Sequence, residues 1–153
     1  MKFRKKPLPQ EFVTHRLKVD ISKTELLVFE PVTNTSFEEY SDLEPFELNC
    51  YSLEEVLVEK MRAVMQRMQA RDYYDIWYLL VVHGMDADYY KTEFAEKCNH
   101  KKLNSADFFT KLDQRLPQYK ARWISSMNEQ IKNLPDFEKI DRETQRKLKN
   151  LKK

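Results

Sequence analysis

Hydrophobic and polar positions recur with two different periods along this chain of 153 residues, and the change of period divides it. Residues 1–10 are basic, carry Pro7 and Pro9, and read as an arm. Between Phe12 and Ile21, Leu17, Val19 and Ile21 fall on one face, with Arg16, Lys18 and Asp20 on the other. That is the period-two pattern of a half-buried strand. Ser22 to Thr24 forms a turn, and the apolar run from Glu25 to Phe29 predicts a second, more buried strand. Pro31 to Pro45 is polar and reads as a loop, and Phe46, Leu48 and Cys50 alternate in a third strand ending at Tyr51.

Beyond Tyr51 the period becomes helical. Ser52, with Glu55 three positions on, forms a capping box that opens a helix to about Gln69. Asp72 opens a second helix, apolar on nearly every side, to about His83, with Gly84 as its C-cap. Asp86 or Asp88 caps a third helix to about Asn99, and Asn104 or Ser105 a fourth from Ala106 to Leu116. Pro117 suits the first turn of a fifth helix reaching Asn133, and Asp136 starts a last, basic helix from Phe137. The expected class is α+β: a small antiparallel or mixed sheet of about three strands within residues 1–50, then a bundle of about six helices within 51–153. Strands on long connections leave open edges, so this sheet reads as part of a larger one. A second copy of the chain, or a missing N-terminal half, is the expected partner along that edge.

The most informative stretch runs from Tyr51 to Leu80. At roughly 100° per residue, Leu53, Val56, Leu57, Met61, Val64 and Met68 share one arc of the first helix, its expected buried face. Glu55, Glu59, Arg62, Gln66 and Gln69 fill the opposite arc. Lys60 and Arg67 fall inside the apolar arc, in line and seven positions apart. Two readings are open. Their stems can run along the core edge to water, or the two cations can meet an anion, Arg as a fork and Lys as a point charge. Arg71, Asp72 and Asp75 follow at once. The two acids serve equally as residues favoured by a helix N-terminus or as members of a charged site at the junction.

Composition narrows the chemistry. The only glycine is Gly84, so a glycine-rich phosphate loop has nowhere to form. A net charge of +2 gives no global field directing the chain to nucleic acid or membrane. Cys50 and Cys98 show no metal spacing and suit a reducing, cytoplasmic setting better than a disulfide. His15, His83 and His100 form no zinc-type pair, and no run of apolar residues is long enough to span a membrane. The basic start is followed by no apolar run and is not a signal peptide. Tyr73, Tyr74, Trp77 and Tyr78 read as core and lip residues, and the lysine-rich end as a solvated helix face or, alternatively, an RNA contact.

The segment YSLEEVLVEKMRAVMQR followed by RDYYDIWYLL closely resembles the third and fourth motifs of the AbiEii/AbiGii-type nucleotidyltransferase toxins. LKVDIS and WISSMNEQIKNLPDFEKI are similar to outer segments of the same family, so the resemblance runs from about Phe12 onward. It implies a polymerase-β-like nucleotidyltransferase with a helical C-terminal domain, an NTP and Mg²⁺ as cofactors, an acceptor that can be RNA, and a cognate antitoxin. It implies that Lys60 contacts the triphosphate, with Arg67 and Arg71 beside it. Asp72 and Asp75 match the acidic pair that orders the site or assists the attacking hydroxyl, and Asp20 stands where a metal-binding carboxylate is placed. The family's opening Gly-Ser motif and strand-borne Asp-x-Asp have no counterpart here. The only Asp-x-Asp, Asp86-Ala87-Asp88, follows the central helices and reads as capping. The expectation is therefore the C-terminal part of that architecture, inactive or incomplete alone, or else a non-catalytic remnant that pairs through its sheet edge.

Overall fold

A computed structural model describes residues 19, 21–36 and 44–152. Among these, two strands and five α-helices follow one another along the chain, with single turns of tighter and wider helix between them. Strands β1 (Val32–Thr35) and β2 (Glu47–Cys50) pair antiparallel, Val32 opposite Cys50 and Thr35 opposite Glu47. Thus β2 lies where the Phe46–Tyr51 alternation predicts it. β1 lies inside the stretch expected to be a loop. Val32, Phe46 and Leu48 are all exposed, and an isolated two-stranded hairpin is only marginally stable by itself.

The strand expected at Glu25–Phe29 does not form. The amides of Val28 and Phe29 that a neighbouring strand would receive donate instead to Glu55 Oε2, each at 3.0 Å. Lys97 Nζ donates to Leu26 O at 3.1 Å, and His100 Nε2 lies 2.9 Å from Thr24 O. The segment is thus an irregular strap bonded to helices rather than to a sheet. The strand predicted between Phe12 and Ile21 falls almost wholly outside the described residues. Val19 and Ile21, which are described, are exposed and in no strand.

Helix α1 (Leu53–Gln66) begins as expected, with the Glu55 amide donating to Ser52 Oγ at 3.2 Å. The reciprocal half of the capping box is absent, because the Glu55 carboxylate is committed to the strap. The helix ends three residues early, where Arg67 turns extended. Its carbonyl end is met from outside: Arg115 Nη1 donates to Val64 O at 2.9 Å, and Tyr119 Oη to Arg67 O at 3.3 Å. Those bonds satisfy acceptors that a helix end leaves free. Leu57, Val58, Met61 and Val64 are buried, each adding about 1.5–3 kcal/mol of apolar transfer if fully removed from water. Leu53 and Met68, expected inside, are exposed, while Glu55 and Arg62 from the supposed polar arc are buried. The reason is that α1 is covered on more than one side, by α2 (Ala70–Trp77), α3 (Lys91–His100) and α4 (Phe108–Met127).

Helix α2 starts at Ala70 with Gln69 as its cap, so Asp72 is the third residue of the helix, inside its first turn, and not the cap. It continues into a π-turn at Tyr78–Val82 before Gly84 stops it at φ +72°. No atom lies within 4 Å of a Cβ built on Gly84, so only backbone strain opposes a side chain there. Gly84→Ala is expected to cost about 1–2 kcal/mol in thermal unfolding, and Gly84→Asn less. Asp86 caps the following 3₁₀ turn (Ala87–Tyr90) through the Asp88 amide, and Asn104 caps the turn before α4, as anticipated.

The two helices expected on either side of Pro117 are one. Phe108, Leu112, Tyr119, Trp123 and Met127 are all buried on a single stripe that passes through the proline. That continuous burial outweighs the roughly 3 kcal/mol penalty of an interior proline. Helix α5 (Phe137–Leu148) then packs on α2. Tyr73 Oη donates to Asp141 Oδ1 at 2.7 Å, and Trp77 Nε1 to Glu143 Oε2 at 2.8 Å. Burial and the Asp141 carboxylate push the Tyr73 phenol far above its ordinary pKa, so it stays a donor. Both cysteines are free. No helix among the described residues is long and apolar enough to cross a membrane.

Candidate functional site

The junction of α1 and α2 brings four of the predicted site residues together. The Asp72 side chain is fully buried and accepts from Arg67 through two parallel bonds, Nε to Oδ2 at 2.7 Å and Nη2 to Oδ1 at 2.8 Å. Lys60 Nζ donates to Asp72 Oδ1 at 3.2 Å and lies 2.5 Å from Asp75 Oδ2. The fork arises because Arg67 leaves the helix in an extended conformation, which swings its guanidinium back over the first turn of α2. Lys60 reaches the same carboxylate from about two turns earlier on α1.

Burial pushes the Asp72 carboxyl up, but the Arg67 hydrogen bonds and the Lys60 charge outweigh it and hold its pKa below the ordinary carboxylate value. Asp72 in turn, against some desolvation, holds the Arg67 guanidinium above its ordinary value. Both buried oxygens of Asp72 are engaged, Oδ1 by two donors and Oδ2 by one. The cations are not fully engaged, because the Arg67 side chain is 50% exposed and Lys60 22%. Hydrogens on Arg67 Nη1 and on Lys60 Nζ remain for a ligand in water. Asp75, at 36% exposure, is the one carboxylate of the cluster open to solvent.

Arg71 does not join this group. It precedes Asp72 by one position, which is about 100° around the helix, and its side chain is exposed. Asp20 lies outside the described residues. Mg²⁺ is implied by the sequence resemblance, but among the described residues no three His, Cys, Asp or Glu side chains come together to hold a metal ion. With both Asp72 oxygens engaged by cations, the described residues do not fit the ion.

A cleft of about 370 Å³ opens next to the ion pairs. Lys60 and Asp75 line it, together with Leu53 and Val56 of α1 and Tyr78, Leu79 and His83 across from them. A larger hollow, about 540 Å³ between α4 and α5, is lined by none of Lys60, Arg67, Asp72 and Asp75 and holds the exposed Lys120–Glu138 pair.

A second polar cluster went unread in the sequence. Lys97 is buried between Phe94 and Cys98 on α3 and pairs with Glu55, with Glu59 3.3 Å away. Arg62 pairs with Glu59 and also bonds Gln66. Burial raises the Glu59 carboxyl, yet its bonds to Arg62 and the Lys97 charge bring its pKa below the ordinary value. The sequence signal was available: Lys97 occupies an apolar position of its helix, and a buried lysine demands a partner. The same burial lifts the Cys98 thiol to about 11, so it is an inert core group.

No curated protein and no solved structure matches this chain. Residues 2–148 match the model of the family described as nucleotidyl transferase AbiEii toxin, type IV TA system. The match spans the strap and hairpin as well as the helices, and reaches further toward the N-terminus than the resemblance read from about Phe12. The chain belongs to the AbiEii nucleotidyl transferase toxin family of type IV toxin–antitoxin systems.

Proposed function

We propose that the Lys60–Arg67–Asp72–Asp75 cluster is the phosphate-binding wall of a nucleotidyltransferase toxin, and that these 153 residues do not complete the active site. The single observation that supports this reading is the buried Asp72 carboxylate. It fixes a half-exposed guanidinium and a lysine side by side with donors left over. Asp72 acts as a positioning residue. Asp75, the exposed acid, accepts the proton of an attacking hydroxyl. No three ligating side chains come together among the described residues, and on this reading nucleotidyl transfer to an acceptor such as RNA draws its Mg²⁺-binding carboxylates from beyond this wall. A cognate antitoxin partners the toxin in such a system.

NTP titration followed by NMR tests the reading. Weak binding is expected, on the order of millimolar, with shifts centred on Lys60 and Arg67 and a loss of at least about tenfold in Lys60→Ala. Shifts that avoid both residues overturn the phosphate wall, and robust transfer by this chain alone overturns its incompleteness. A second reading is pairing of the sheet edge with another chain, favoured by the exposed Val32, Phe46 and Leu48 on the two-stranded hairpin. Light scattering decides it, because a strict monomer counts against edge pairing.

A further inference from the structure

The π-turn at Tyr78–Val82 interrupts the regular helix that begins at Ala70, and it has a visible geometric result. In a regular α-helix, residues five apart point about 140° away from each other. The wider turn closes an i to i+5 bond, His83 N to Tyr78 O at 3.0 Å, and brings those two side chains onto one face. Their rings meet edge to face, with centroids 5.1 Å apart. On the preceding turn, Tyr74 stacks on Tyr78 at 6.2 Å and 21°. Tyr78 thus meets a ring on either side while remaining 40% exposed, and both Tyr78 and His83 line the cleft that Lys60 and Asp75 also line. Single π-turns inside α-helices are rare and are frequently found at functional sites.

The order of groups along the cleft is chemically specific. Starting from the Lys60–Asp75 pair, α1 runs back through Val56 to Leu53 while the second helix runs forward through Tyr78 and Leu79 to His83. A cation and a solvent-facing carboxylate thus stand at one end. An aliphatic floor and a fixed aromatic pair occupy the rest. A volume of about 370 Å³ falls within the range of small-molecule sites.

We propose that this cleft receives a nucleoside. The base lies against the Tyr78–His83 pair, a ribose hydroxyl donates to Asp75, and the attached phosphate faces Lys60. The assignment rests on the phosphate-wall reading for its polar end and extends it by naming the residues that sense the base. A free nucleotide and the terminal nucleoside of a polynucleotide share this chemistry.

The test is NMR titration of the full chain with adenosine, ATP, a short oligoribonucleotide and inorganic triphosphate. Adenosine and ATP are expected to shift the Tyr78 and His83 ring signals. Tyr78→Ala should weaken ATP about tenfold, Tyr78→Trp should restore it, and neither should change the affinity for triphosphate. His83→Ala, at an exposed position, repeats the test if Tyr78→Ala melts early. Whichever of ATP and the oligonucleotide binds more tightly at these rings identifies the source of the nucleoside. Unchanged ATP and oligonucleotide affinity in both aromatic variants, with Lys60→Ala still weakening ATP, sinks the nucleoside site and leaves the phosphate wall standing. Adenosine shifts at Tyr78 with no effect of Lys60→Ala on ATP do the reverse. If none of the ligands moves the Tyr78 or His83 signals, the proposal is wrong.

Discussion

Lys97→Met is expected to lower stability by about 3–5 kcal/mol, the usual result of removing one partner from a buried ion pair. The substitution keeps the side chain's volume but strands the Glu55 carboxylate, whose side chain is 1% exposed. Glu59, 3.3 Å from the same ammonium, loses a counter-charge as well. Only the Val28 and Phe29 amides would remain on Glu55. At this size such a loss lowers Tm by roughly 10 °C or more. Thermal unfolding measures it, and hydrogen exchange localises it, with protection expected to fall first at Val28 and Phe29. Adding Glu55→Gln to Lys97→Met should recover part of the loss, since it removes the stranded charge. A wild-type Tm for the single variant would show that the Lys97–Glu55 pair does not hold the strap to the helices.

The second large effect is Asp72→Asn, expected to cost about 2–3 kcal/mol at neutral pH through three weakened charge-assisted bonds. Its pH dependence carries the sharper test. The folded pKa of Asp72 lies below its ordinary value, so the unfolded chain takes up the proton first as pH falls. The stabilisation is therefore complete above the unfolded pKa, near 3.9, and is lost as pH drops through the folded value. The gap between wild type and Asp72→Asn should be constant from about pH 7 to 5 and shrink toward zero in acid. Denaturant titrations at several pH values measure it. A gap that stays constant below pH 3 would mean that the asparagine costs packing and not charge.

Lys60 could be placed from sequence because a rotation of 100° per residue is a reliable ruler while a helix stays regular, whereas Arg67 reaches the same carboxylate only after the helix has ended and its backbone has turned extended. Arg71 could not be sorted by that ruler, since everything depends on where the second helix begins. With Gln69 rather than Asp72 as the cap, position 71 faces water. Glu25–Phe29 misled for another reason. An apolar run reports burial but not the partner of its amides, and here the partner is a carboxylate distant in sequence. Pro117 was weighed as a boundary by local propensity, whereas the stripe from Phe108 to Met127 passes through it and tertiary burial prevails. The pairing of Tyr78 with His83 was not legible at all, because five-residue spacing has no meaning until the helix widens.

The bidentate hold of Asp72 on Arg67, with Lys60 shared between two acids, leaves the junction electroneutral before anything binds. Such a cluster projects little field beyond a Debye length, about 8 Å at physiological salt. It therefore cannot gather anions from a distance as an open basic groove does. Recognition here is a matter of contact: an anion must already be seated before the spare N–H groups of Arg67 and Lys60 distinguish it from water. Encounter is thus left to diffusion and to whatever surface lies opposite, and this wall contributes discrimination rather than speed.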